Sequence, residues 1–242
     1  PETPILSGLV GSEMCIRDRM HTAGSLQDGK RVWGLAKVKD DFTINGTDRV
    51  DSYLLLTNPH MYGRAVDIRF TPIRVVCNNT LTLSLAQKGD YQVSLNHKKA
   101  FDAQEAKELL GIAKGKMETY KDMATFLSSK RYTPETLRTY YSTVFANQNP
   151  KVKGIGFNPA DTVDFEKYGS KNAKLAMEVT NTQPGAHLGE GSFWQAFNAV
   201  TYLTDHQLGR EADSRLNSAW YGVNKVKKAK ALETALEFAQ AA

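Results

Sequence analysis

The hydrophobic period of this chain changes once, at Asp102, and that change limits what the chain can fold into. Upstream of it, apolar residues alternate or run in short blocks between turn signals, the two-residue period of strands. Downstream they recur every three or four residues, the period of helices. Strands first and helices second describe an α+β fold, not alternating βαβ units. The expectation is an N-terminal antiparallel sheet over residues 20–101 and a mainly helical C-terminal part over 102–242, together one domain.

Residues 29–38 (GKRVWGLAKV) place Val32, Gly34, Ala36 and Val38 on one face and Trp33, Leu35 and Lys37 on the other. A short strand, 42–44, lies between the turn signals Asp40-Asp41 and Asn45-Gly46. Another candidate, 50–57, ends at Asn58-Pro59, and 91–97 reads as a last strand. The densest run of strand formers is 68–85, IRFTPIRVVCNNTLTLSL, whose β-branched and aromatic residues suit a pleated surface. Strand character is expected at Ile68, Phe70 and 73–76. Pro72, with no amide proton, marks an edge position or a bulge between two strand halves. Asn78-Asn79 leaves the ladder, because Asn tolerates left-handed backbone angles. Cys77 reads as a small buried hydrophobe, since nothing near it announces a depressed thiol pKa.

Asp102 and Glu105 have capping-box spacing. Apolar residues then recur at Ala106, Leu109, Leu110, Ala113, Met117, Tyr120, Ala124 and Leu127, with Gly111 and Gly115 as weak points. Thr133-Pro134-Glu135 starts a second helix with a buried face of Leu137, Tyr140, Tyr141, Val144 and Phe145. The Gly/Pro loop 147–161 is the one internal boundary the sequence offers. Helices are expected over 170–179 and 192–206. The latter carries Phe193, Phe197, Val200 and Leu203 on one face. A short piece with Leu216, Ala219 and Trp220 leads to Gly222. The last helix runs from about Lys225 to the end, with Val226, Ala229, Leu232 and Leu236 beneath.

The chain has 242 residues, 41% hydrophobic and 24% charged, an ordinary globular composition. No apolar run approaches the ~20 residues needed to span a bilayer, so no membrane partner is expected. Residues 9–19, LVGSEMCIRDR, resemble the in-frame translation of a transposase sequencing adapter. Residues 1–19 are therefore expected to be a non-native leader, with native sequence from near Met20 and more of it missing upstream. Without them Lys+Arg falls from 31 to 29 (Arg17 and Arg19) and Asp+Glu from 26 to 23 (Glu2, Glu13 and Asp18), so the net charge is 29 − 23 = +6. Cys77 is then the only cysteine, and a reducing cytoplasm of a prokaryotic host is expected. A modest positive balance permits nucleic-acid binding without demanding it.

Two groups of basic residues carry the functional reading. Arg64, Arg69, Arg74, Lys88, His97, Lys98 and Lys99 fall on or near the strands, among Tyr53, Tyr62 and Tyr91. Basic and aromatic side chains on a sheet make a platform for single-stranded nucleic acid. The competing reading is a solvated face with scattered charges. Lys225, Lys227, Lys228 and Lys230 sit near the start of the last helix, where the helix dipole disfavours cations. Either a phosphate uses them or they decorate a solvated face. Asp205-His206, with His187 and Glu190, lacks the tight paired spacing of zinc ligands, and a His at a helix end has a structural role. No metal site or cofactor is expected, and no Walker loop, GxGxxG or GxSxG motif occurs.

Four segments in order, AGSLQDGKRVW (23–33), YLLLTN (53–58), FTPIRVVCNNTL (70–81) and FWQAFNAVTYLTDH (193–206), followed by Arg210 and Arg215, carry a resemblance. Together they resemble the phage/plasmid-like family known as domain of unknown function 932, over nearly all of 20–242. The resemblance implies the company of phages, plasmids and mobile elements, and it supplies no catalytic residues. The preferred expectation is a non-enzymatic protein that binds single- or double-stranded DNA in replication, recombination or strand annealing of a mobile element. A homo-oligomer is compatible with it. Two alternatives stand: a metal-dependent nuclease using Asp161, Asp164, Glu166, Asp205 and His206, and a protein-binding factor that counters a host defence.

Overall fold

The computed structural model describes residues 20–38, 41–62, 64, 66–81, 93–95, 103–146 and 162–242. They form an α+β arrangement, an antiparallel sheet followed by seven helices among the described residues. The chain divides into two compact units. The first takes residues 1–42, 50–73 and 82–120, and the second takes 43–49, 74–81 and 121–242. The division falls inside a helix; the 147–161 loop lies outside the described residues.

In the first unit β1 (Met20–Leu26) and β2 (Arg31–Lys37) form a hairpin, with Leu26 opposite Arg31. Gln27 and Asp28 at its tip hold φ of 56° and 55°, the left-handed turn that matches strand twist. β1 was not legible as a strand: MHTAGSL has few strand formers, and pairing with β2 recruits it. A Cβ at Gly24 would meet the ring of Trp33, its cross-strand partner, at 2.8 Å, so only glycine leaves room for the indole. β2 pairs β4 (Asp48–Pro59) from Arg31↔Pro59 to Lys37↔Tyr53. The short β3 (Phe42–Ile44) also pairs β4. β5 (Val66–Arg74) pairs β7 (Val93–Leu95) over Val66, Asp67 and Ile68.

β5 runs through Pro72 without a break; the proline lies beyond the stretch that β7 pairs, where no ladder to β7 asks for its amide. The strand stops at Arg74, earlier than the expected 73–76. Residues 75–78 turn, with Asn78 at φ 52°, and the chain returns as β6 (Asn79–Thr80). Val75 and Val76 are accordingly exposed and Cys77 is buried. Burial pushes the Cys77 thiol up, against the pull of Arg74. Leu35, Val50, Tyr53, Leu55, Val66 and Phe70 build the core of the first unit. Helix α1 (Ala103–Ser129) contributes Met117 and Tyr120, and Tyr120 meets Phe42 edge-on at 6.0 Å.

The second unit is helical. Thr133 caps α2 (Pro134–Val144) by accepting from the Thr136 amide, and Ser170 caps α4 (Lys171–Val179) in the same way. α3 (Thr162–Tyr168) precedes α4. Ser192 caps α5 (Phe193–Tyr202), and every residue from Phe193 to Thr201 is buried, not one face alone. A helix buried all round, its Asn198 and Thr201 side chains hydrogen-bonded to backbone carbonyls, belongs at the centre of a bundle. A π turn (Leu203–Gln207) follows, then α6 (Ala212–Tyr221) and α7 (Val223–Gln240). α7 packs against α2, α5 and α6, and α2 packs on α4. None of the described helices is long and apolar enough to cross a membrane.

The buried face of α7 differs from the expected one. Asn224, Lys228, Ala231, Leu232, Ala235 and Ala239 point inward, while Val226 is 68% exposed. The sequence pattern put Val226 inside because it is apolar. Asp205 neutralises Lys228, and this lets the helix turn a lysine inward instead.

Tyr140 and Tyr141 are fully buried. Tyr140 donates to the Ala231 carbonyl at 3.0 Å; Tyr141 bonds Thr180 Oγ1 at 2.7 Å. Burial pushes both phenols up from the ordinary value of 10.0. A group whose folded pKa is raised lends stability that is complete below its unfolded pKa and is lost as pH climbs towards the folded value. Lys228, held below its ordinary 10.5 by burial, acts in the opposite sense until the unfolded chain also loses that proton. Loss of stability is therefore expected above about pH 10.5. Tyrosinate absorbance at these two residues should appear only together with loss of the helical circular dichroism signal. Ionisation of both phenols with the helices intact would contradict this burial.

Candidate functional site

Of the expected strand cations, Arg64, Arg69 and Arg74 lie among the described residues. Arg74 is buried at 4% exposure. Its Nε donates to Asp48 Oδ1 at 2.8 Å and to Oδ2 at 2.9 Å, and its outer nitrogen reaches the Gly185 carbonyl at 2.8 Å. Trp194 Nε1 donates to the same carboxylate at 2.7 Å. Arg74 is thus committed to an internal ion pair and is withdrawn from any binding face. Arg69 pairs with Asp67 at 2.5 Å and is largely covered. Tyr53 is buried and bonds His21 Nδ1 at 2.8 Å. Arg64 and Tyr62 are exposed on one turn, closed by the Arg64 amide on the Met61 carbonyl at 3.2 Å. Lys88, Tyr91, His97, Lys98 and Lys99 lie outside the described residues.

The lysines of α7 separate by helical phase. Lys228 points inward with no exposed surface. It donates to Asp205 Oδ1 at 2.6 Å and to the Thr80 carbonyl at 2.5 Å. Asp205 Oδ2 accepts the Thr80 amide at 2.7 Å, and Trp220 Nε1 donates to Thr80 Oγ1 at 3.1 Å. Burial pushes the Lys228 ammonium down; the Asp205 charge partly restores it. Lys228 is therefore corrected from a surface cation to part of a closed internal network. Lys225 does not line the groove that its neighbours form.

Lys227 and Lys230, three residues apart on one face of α7, line that groove. Lys171, at the first position of α4, lines it from across, next to Ser170 and Asn172. The space is about 470 Å³, with Val144, Phe145, Val223 and Val226 as its apolar wall. The Lys227 ammonium stands 5.3 Å above the Phe145 ring centroid, and Lys230 Nζ donates to the Thr143 carbonyl at 2.6 Å. Burial pushes the Lys227 ammonium down, and the neighbouring Lys230 pushes it further. A neighbouring anion favours the charged form of such a group. The first amides of α4 have no carbonyl inside the helix to bond, and Ser170 already takes the Ala173 amide. The first residues of α4 thus line the same groove as Lys227 and Lys230.

Asp164, Glu166, Asp205 and His206 of the nuclease alternative lie among the described residues. Asp164 and Glu166 sit on α3, whose Glu166 carbonyl accepts Lys174 Nζ. Both Asp205 oxygens accept bonds from Lys228 and Thr80. His206 Nε2 bonds Asn79 Oδ1 at 3.2 Å and its ring lies 5.0 Å from that of Tyr202. Asp161 lies outside the described residues. Among the described residues no three of His, Cys, Asp and Glu gather as a metal site would require.

Sequence reasoning missed Lys171 and Phe145. The signal for Lys171 was present: a lysine directly after the Ser170 cap opposes the helix dipole, the same anomaly that singled out the α7 lysines. Their meeting in one groove needs the packing of α2, α4 and α7. The family model for the domain of unknown function DUF932 matches residues 4–220. No curated protein and no solved structure matches the chain.

Proposed function

From the premise that the chain belongs to the DUF932 family, whose description states no activity, we propose that it binds nucleic acid through phosphate contacts in the groove of Lys171, Lys227 and Lys230. The observation that carries this reading is that Lys171, at the first position of α4, lines one groove with Lys227 and Lys230 of α7, beside the exposed side chains of Val223 and Val226. Exposed lysines alone are solvated decoration. Here Lys171 is the first residue of α4, where the helix dipole disfavours a cation, and Lys227 and Lys230 of α7 line the same groove. A bound phosphate backbone offsets that cost. The binding is non-enzymatic, and replication, recombination or strand annealing of a mobile element are the processes it would serve.

The test is fluorescence anisotropy of labelled DNA with the wild-type protein and with a Lys171→Gln, Lys227→Gln, Lys230→Gln triple variant, over a series of salt concentrations. Each lysine that neutralises one phosphate contributes about 0.7 to the slope of log K against log salt on a single strand and about 0.9 on a duplex. The triple variant should bind more weakly at every salt concentration and lose roughly 2 from that slope on a single strand and roughly 3 on a duplex. An unchanged slope would remove the groove from the interface. Magnesium-dependent cleavage of the probe, absent in EDTA, would favour the nuclease alternative.

A further inference from the structure

Among the described residues six large apolar side chains are markedly exposed. Two of them, Val223 at 71% and Val226 at 68%, line the same groove as the three lysines. They lie one helical turn apart on α7, so they form a continuous strip beside Lys227 and Lys230. The strip differs from Phe145, which is buried beneath the Lys227 side chain and offers no open ring face. The groove thus has a cationic wall and an open apolar wall within about 470 Å³, in the range of about 300–1,000 Å³ typical of sites for a small organic group.

A duplex does not fit that combination. Its outer surface offers phosphate and sugar, while the bases are stacked inside, so the lysines would be matched and the valines would not. A single strand supplies both parts at once. Its phosphate meets the ammonium groups, and its base, free to leave the stack, covers the apolar strip. We infer that the groove receives one unstacked nucleotide, its phosphate on Lys171, Lys227 and Lys230 and its base against Val223 and Val226, so that the nucleic acid bound here is single-stranded. This rests on the nucleic-acid reading proposed above.

Three labelled probes of equal length separate the two ideas: a deoxythymidine oligomer, the same backbone without bases, and a duplex. Each is titrated with wild-type protein and with a Val223→Ser, Val226→Ser variant. Both valines are exposed, so the variant keeps the helical circular dichroism signal. The oligomer should bind wild type about tenfold more tightly than either other probe, and the variant should remove most of that advantage with the salt slope unchanged. Binding of the duplex or the base-free backbone as tightly as the oligomer would overturn the single-strand inference and leave phosphate binding standing. An equal loss on all three probes in the variant would also overturn it. No binding of any probe at low salt would remove the phosphate reading, and this inference with it.

Discussion

Replacing Lys228 by methionine should destabilise the second unit by about 3–5 kcal/mol, the range found when one member of a buried ion pair is removed. Methionine matches the volume, so lost packing contributes little. The cost lies in the partner. Asp205 has a side chain only 6% exposed and faces Lys228 at 2.6 Å. Without the ammonium its charge is held in a poorly solvated site by the Thr80 amide and hydroxyl alone. Thr80 also loses the donor at its carbonyl, which Lys228 occupies at 2.5 Å. A urea unfolding series measures the effect. A Lys228→Met, Asp205→Asn double variant should recover part of the loss, because no unpaired charge then remains. A single-variant cost below about 1 kcal/mol would show the pair to be solvated, as surface pairs are.

The second large effect is expected at Asp48, which has no exposed surface. Its two oxygens accept from Arg74 Nε, and Oδ2 also accepts from the outer guanidinium nitrogen at 2.7 Å and from Trp194 Nε1 at 2.7 Å. Asp48→Ala leaves a guanidinium at 4% exposure without its counter-charge and an indole N–H without an acceptor. A loss of about 3–5 kcal/mol is expected, again from a stranded charge. Trp194→Phe removes one N–H donor and keeps an aromatic ring under the guanidinium, which stands 5.9 Å from the indole centroid. It should cost clearly less, about 1–3 kcal/mol. Unfolding by urea, followed by circular dichroism, reads both. The order is the test: a tryptophan variant as damaging as Asp48→Ala would mean that ring packing, not charge, holds this corner.

These networks explain which parts of the candidate site were legible. Arg74 and Lys228 were expected on a surface because each is a cation. Their acids stand 26 and 23 residues away in sequence, and no local pattern announces such a partner. Lys227 and Lys230 were legible as an anomaly near a helix start, and the structure brings them together with Lys171. Val226 was assigned to the core by its chemistry and is exposed. That misassignment follows from the one on Lys228: with the lysine inward, the apolar neighbour two positions back must turn outward.

Short-range interactions decided what the sequence alone could determine. The change from a two-residue to a three-to-four-residue period separated strands from helices. Thr133, Ser170 and Ser192 marked helix starts because a hydroxyl beside an unbonded amide is a contact within one turn. Cys77 was legible as a buried residue because a thiol with nothing nearby to depress its pKa reads as a small hydrophobe. Tertiary structure alone decided which charges are withdrawn and which are offered. A charge enters the interior only where a partner from elsewhere in the chain neutralises it, and that depends on packing, which periodicity does not encode.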